Sequence, residues 1–110
     1  MSKGITEIKV EWNMNLRDVL SILPKDAYRM EALVEKGKVY KHDCGQSSQD
    51  SVSILFLEPR AKIGIHMHFD DSEKYIVLNE NTYECPKGHG HSLENTSKTA
   101  WLVVISVKSK

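Results

Sequence analysis

Apolar residues fall along this chain in two different rhythms. From residue 52 onward they come in short runs separated by turn residues. Ile54-Leu55-Phe56-Leu57 stops before Pro59, Ile63, Ile65, Met67 and Phe69 occupy every second position, and Tyr75-Ile76-Val77-Leu78 follows the polar turn Asp70-Asp71-Ser72. Thr82-Tyr83-Glu84-Cys85, a segment starting at His91 and the run from Trp101 to Val107 complete the series. On a β-strand, residues i and i+2 share a face. Alternation therefore predicts a strand with one apolar face at 63–69, and the continuous runs at 52–57 and 101–107 predict strands buried on both faces. Short strands recurring at roughly 8–12-residue spacing predict an all-β barrel or double-sheet jelly roll.

The first fifty or so residues carry the other rhythm. Ile5, Ile8, Val10 and Trp12 alternate loosely and predict an edge strand over 4–12. Asn15 can cap a helix in which Leu16, Val19, Leu20 and Leu23 recur at helical spacing. Pro24 interrupts it, and Ala27, Met30, Leu33 and Val34 predict a second short helix ending at Gly37. Two amphipathic helices need an apolar surface to lie on. The face of Ile65, Met67 and Phe69 offers one, and another chain's helices could cover it equally well. Val39 to His42 predicts a strand, and Asp43 to Asp50 a polar loop whose one core residue is Cys44. The expected organisation is a single domain, with residues 1–35 as an N-terminal strand and helical segment packed on a barrel formed by residues 36–110.

The chemistry concentrates in two stretches. His66 and His68 share one parity of the alternating strand, so both imidazoles face one way and Ile63, Ile65, Met67 and Phe69 the other. Glu73 opens the next strand, which could fold back and bring its carboxylate beside them. Pro86 and Gly88, both turn residues, precede His91 at the start of another strand. A His-x-His pair alone is ordinarily two surface histidines. Three imidazoles and a carboxylate together are the ligand types that hold a borderline divalent transition metal.

These stretches resemble the two motifs of the cupin superfamily. The first motif is a pair of histidines separated by one residue, followed after a few residues by a glutamate. The second is proline, any residue, glycine, two residues, histidine, three residues, asparagine, and Pro86, Gly88, His91 and Asn95 fill it. The resemblance covers residues 51–107. It implies a small cupin barrel, a double-stranded β-helix or jelly roll of the RmlC-like type, carrying one divalent metal (Zn, Fe, Mn, Ni or Co) on His66, His68, Glu73 and His91. There are departures. Arg60 stands where cupins usually carry a glycine, and Glu80, inside Asn79-Glu80-Asn81, replaces both the glycine that closes the first motif and the one that opens the second. The motifs abut without the usual spacer, so the barrel is expected to be short and open on one side.

Composition narrows the function classes. The 110 residues carry 15 Lys+Arg against 15 Asp+Glu, with no basic stripe to support nucleic-acid or anionic-membrane binding. No apolar run approaches membrane-spanning length, and Met1-Ser2-Lys3-Gly4 lacks the hydrophobic region of a secretion signal. Cys44 and Cys85 do not make a disulfide framework, and the chain reads as cytoplasmic. Tyr75 and Val77 share parity with Glu73 and are candidate pocket-lining residues; for Tyr75 a core role and a substrate-facing role are both open. Cys85 is expected at the rim as an inert thiol, His89 in a loop, His42 at the surface, Asn95 in a structural hydrogen bond, and Trp12 and Trp101 in packing. Asp70-Asp71 is expected to be a solvated loop.

Three functions fit. One is a metal-dependent enzyme (dioxygenase, isomerase or decarboxylase type) acting on a small oxygenated or sugar-like metabolite. The second is a binding or sensing module in which the metal anchors a small molecule. The third is a closed, structural metal site, which ligands drawn from several strands of one barrel disfavour. A homodimer is expected from the apolar surface that a short barrel leaves exposed.

Overall fold

The computed structural model describes residues 4–11, 14–77 and 81–110. Along the chain run β1 (Ile5–Val10), α1 (Leu16–Ile22), β2 (Tyr28–Arg29), β3 (Val34–Lys36), β4 (Val39–Gln46) and β5 (Asp50–Leu57). They are followed by β6 (Lys62–His66), β7 (Ser72–Val77), β8 (Thr82–Cys85), β9 (Gly90–Asn95) and β10 (Leu102–Ser109). The strands form two sheets, a four-stranded one in the order β1-β9-β6-β3 and a six-stranded one in the order β2-β4-β5-β10-β7-β8. β1 lies at an edge, as its loose alternation predicts, and pairs with β9 in parallel. Among the described residues no ladder joins the sheets, so of the two forms expected, barrel or jelly roll, the chain takes the two-sheet jelly roll, and the sheets stay open, as the abutting motifs predict. Among the described residues, the four-residue β8 is the only strand between β7 and β9.

The inner faces of the sheets meet in one core built from Ile8, Val10, Leu55, Leu57, Ile63, Leu93, Leu102 and Val104, all buried. The two continuous apolar runs pair along their whole length as β5 and β10. Leu55 and Leu57 face that core, while Phe56 and Val103 face outward under α1 and bury Val19. A fully buried side chain of this size contributes roughly 1.5–3 kcal/mol, and a seven-residue helix does not hold itself together in water. Docking on Phe56 and Val103 therefore holds α1 in place, together with the Asn15 side chain, which accepts a hydrogen bond from Asp18 N–H at 2.9 Å. Leu16 and Leu20, expected on the buried stripe, are exposed. Trp101 packs in this outer cluster against Tyr40, with ring centroids 6.2 Å apart. Trp12 lies outside the described residues, as do Asn79 and Glu80.

Four expectations need correction. The segment predicted as a second helix is extended. Tyr28–Arg29 pairs with β4 and Val34–Lys36 with β6, so edge pairing satisfies backbone groups that an isolated two-turn helix could not protect. α1, the one helix among the described residues, covers the six-stranded sheet rather than the face of Ile65, Met67 and Phe69. The polar stretch after His42 is not a loop, because β4 continues to Gln46 and leaves Ser47 to Gln49 as a short hairpin turn, with Cys44 exposed on the strand. Lastly, Ile63 does not share a face with Ile65. The β6–β9 register shifts between Ile63 and His66, so Ile63 enters the core at 2% exposure while Ile65 is 52% exposed. No helix among the described residues is long and apolar enough to cross a membrane.

Arg60, where the motif usually has glycine, adopts a left-handed backbone conformation that glycine tolerates best, with φ at 67°. A side chain in this left-handed region costs about 1–2 kcal/mol, of which glycine's greater chain entropy returns about 0.5–1. Arg60→Gly is expected to raise stability by up to about 1 kcal/mol in urea unfolding. A loss of stability would show that the arginine side chain makes a contribution larger than the strain.

Candidate metal centre

The four residues singled out by the motifs come from both sheets. His66 ends β6 and lies opposite His91 on β9 in the four-stranded sheet. Glu73 sits on β7 of the six-stranded sheet, opposite Cys85 on one side and Lys108 on the other. The bulge that turns Ile65 outward sets His66 inward; unbroken alternation from the buried Ile63 would have pointed it to solvent. β-Bulges commonly re-aim a side chain in this way next to functional sites. His68 lies beyond the strand, and the turn of the second motif fixes it: Gly88 N–H donates to His68 C=O at 2.7 Å. Gly88 has φ of 71°, a conformation that favours glycine.

One ligand atom from each of His66, His68, Glu73 and His91 falls within 4.8 Å of the others. The three Nε2 atoms surround a single carboxylate oxygen, Glu73 Oε1, at 3.8, 3.2 and 3.0 Å for His66, His68 and His91. Their other ring nitrogens face acceptors. Nδ1–H of His66 donates to Gly64 C=O at 2.8 Å and that of His91 to His89 C=O at 3.3 Å, while His68 Nδ1 lies 3.4 Å from Asp71 Oδ1. An imidazole that donates from Nδ1 presents a lone pair at Nε2. Lone pairs then converge on a carboxylate, an arrangement that only shared protons or a shared cation can reconcile. His68 Nε2 is buried, and its 3.2 Å approach to Glu73 is not aligned as a hydrogen bond. This donor set, with carbonyls and a carboxylate behind the imidazoles, fits a divalent transition metal.

Electrostatics keep Glu73 ionised and push His66 and His68 in opposite directions. Burial pushes the Glu73 carboxyl up, but contacts from His66, His91 and Ser106 and the charge of Lys108 outweigh it, so the group is held well below the usual carboxylate range. Ser106 Oγ donates to Glu73 Oε2 at 2.5 Å and Tyr75 OH to Oε1 at 3.2 Å. For His66, burial alone would lower the pKa; the Glu73 carboxylate 3.8 Å away and the hydrogen bond to Gly64 C=O raise it overall. For His68, burial dominates and lowers it.

The other candidates fall in separate places. Tyr75 lines the small cavity at the cluster, and burial beside Glu73 pushes its phenol well above the normal range. Val77 belongs to the apolar core. Cys85 is buried, borders a different hollow with Ser72 and Pro86, and has its thiol pushed up to about 11 by burial and by Glu73. His89 bonds to Thr6 Oγ1 at 2.7 Å and His42 lies 3.0 Å from Asp26 Oδ1, both away from the cluster. Asn95 is completely buried; its Nδ2 donates to the carbonyls of Leu57, Glu58 and Ala100, and its Oδ1 accepts from Ser97 N–H. Sequence reasoning passed over Ser106 and Lys108, and it expected Asp71 only in a solvated loop, whereas Asp71 Oδ1 is buried beside His68. A serine inside the apolar 101–107 run was the available signal for Ser106, since a buried hydroxyl needs a partner.

No family model and no curated protein matches the sequence. Among solved structures, the chain is similar to a predicted oxalate decarboxylase from Thermotoga maritima, with a TM-score of 0.68 and 21% identity over 76% of this chain and 90% of that one. A cupin domain from Bordetella pertussis gives 0.55 and 15% identity over 66% and 93%. A sugar phosphate isomerase of the cupin superfamily from Silicibacter pomeroyi gives 0.57 and 21% identity over 66% and 59%. The chain has the cupin fold.

A carboxyl whose folded pKa is depressed stabilises the fold above its unfolded pKa, about 4.3 for glutamate, and loses that contribution as pH falls. Chelator-treated protein is therefore expected to lose stability steeply below about pH 4–5, and Glu73→Gln to flatten that acid limb. Parallel pH profiles for the two proteins would mean that Glu73 is not held ionised by its neighbours.

Proposed function

We propose that this chain binds one divalent transition metal through His66, His68, Glu73 and His91 and uses it to hold a small oxygen-donor metabolite for turnover. The observation that carries the reading is the meeting of three Nε2 atoms and one carboxylate oxygen, with His66, His91 and Glu73 each oriented by a further hydrogen bond. A bound ion would supply Lewis-acid polarisation of a ligand oxygen. The chain's own part is positional: the four side chains are fixed from two sheets, and Tyr75 and Ser106 hold the Glu73 carboxylate. Structural neighbours that include a predicted oxalate decarboxylase and a sugar phosphate isomerase support decarboxylation or isomerisation ahead of oxygenation.

A second reading, a binding or sensing module with the metal as anchor, is favoured by one observation. The Tyr75 phenol and Cys85 thiol both have raised pKa values, so neither carries a proton on and off near neutral pH. Loss of oxalate or interconversion of a sugar phosphate, followed by NMR with metal-loaded protein, separates turnover from binding.

Protein purified without tag or added metal is expected to carry about one equivalent of a divalent transition metal by elemental analysis. His66→Ala/His68→Ala is expected to lose it, and His91→Ala to lower affinity about 10–100-fold or more while remaining folded. Full occupancy of His91→Ala after dialysis would overturn the ligand set. We further propose a homodimer through the face carrying Ile5, Ile65, Met67 and Phe69, which are 59, 52, 37 and 68% exposed. Light scattering is expected to give twice the 12.5 kDa chain mass; a monomer across a broad concentration range removes the dimer.

A further inference from the structure

Two lysines, Lys41 and Lys108, stand over the cluster. The cavity that touches His66, His68 and Glu73 measures about 40 Å³, and its walls include Met30, Leu33, Lys41 and Lys108. One water needs about 10–15 Å³ of such space, so a small donor group fits there and the body of a larger ligand does not. The same four wall residues also line a larger basin of about 430 Å³, which adds Tyr28 and Arg29. A ligand reaching the cluster has its body in that basin.

The basin is cationic in a chain whose charges balance at 15 and 15. Arg29, Lys41 and Lys108 line it against one acid, Glu31. Lys108 lies opposite Glu73 in the ladder, and its charge acts on Glu73, His66 and His68. Among the described residues, it makes no ion pair within 4 Å. Lys41 is braced by Asp43 at 3.8 Å, and Asp43 is itself held by Ser53 Oγ at 3.0 Å and Tyr28 OH at 3.1 Å. Met30 and Leu33 give the wall an apolar side, with Leu33 in the left-handed conformation at φ 70° and its C=O accepting from Gly64 N–H at 2.8 Å. The mouth thus combines fixed positive charge with a short apolar wall.

We propose that the site selects a small metabolite with two ends: an oxygen donor that reaches the cluster and a second, anionic group, carboxylate or phosphate, that rests on Lys108 and Lys41. This rests on the metal reading above and names the ligand class for it. Two partly exposed ion pairs at about 0.2–1 kcal/mol each amount to roughly a tenfold preference.

The test uses Co²⁺-loaded protein, with visible absorption as the readout and three probes of matched length: butyrate, succinate and 3-phosphonopropionate. Succinate or the phosphonate is expected to perturb the spectrum at about tenfold lower concentration than butyrate. Lys108→Met, which keeps the apolar stem, is expected to erase that difference with cobalt content unchanged, and Lys41→Met to reduce it. The tighter of the two dianions assigns the second group as carboxylate or phosphate. Equal affinity for all three probes, or a preference that survives both variants, overturns the proposal. Failure of the protein to take up cobalt overturns the metal reading and this inference with it, and shows in the cobalt content before any titration begins.

Discussion

A carboxylate buried between two sheets is the constraint from which the rest of this structure follows. Removing such a group from water costs several kcal/mol unless its oxygens are met by donors or cations. Glu73 is 5% exposed, and its surroundings are arranged for that need: Ser106 on one oxygen, Tyr75 and three imidazoles on the other. The histidines come from the opposite sheet or the turn beyond it. Satisfying the carboxylate therefore sets how the two sheets face each other. The apolar core beneath supplies the adhesion, while the polar cluster supplies the alignment.

The site was legible in the sequence because its spacing is local. His66 and His68 are two residues apart, Glu73 follows one turn later, and Pro86 and Gly88 mark the bend that brings in His91. The reason it was legible was only partly right. Parity was expected to place Ile63 opposite His66, yet both point inward because a bulge lies between them. Asn95 matches its structural role closely. Its amide ties three carbonyls from the end of β5 and the approach to β10, so the last position of the second motif serves the fold rather than the chemistry.

The segment from Tyr28 to Lys36 was illegible for a physical reason. Its apolar residues recur at helical spacing, but it runs between an edge of each sheet, where unpaired backbone groups exert a stronger pull than helix propensity over so short a stretch. Propensity reads neighbours in sequence, whereas this segment answers to β4 and β6. The same blindness hid the lysines. Lys41 and Lys108 look like ordinary strand-surface charges until the pairing of β7 with β10 and of β2 with β4 brings them to one mouth.

The parallel pairing of β1 with β9 has a consequence for how the chain assembles as it is made. Ile5 lies opposite Gly90, so β1 must wait for a strand far along the chain before it has a partner. β4 and β5 can close as a hairpin early, but β9 stands between β1 and β6, and the four-stranded sheet has no middle until β9 emerges. Non-local pairing of this kind slows folding, and during that interval the apolar side of β1 is exposed to other nascent chains. His91 arrives on the same late strand. Completion of the four-stranded sheet and completion of the histidine cluster are thus a single event in the life of the polypeptide.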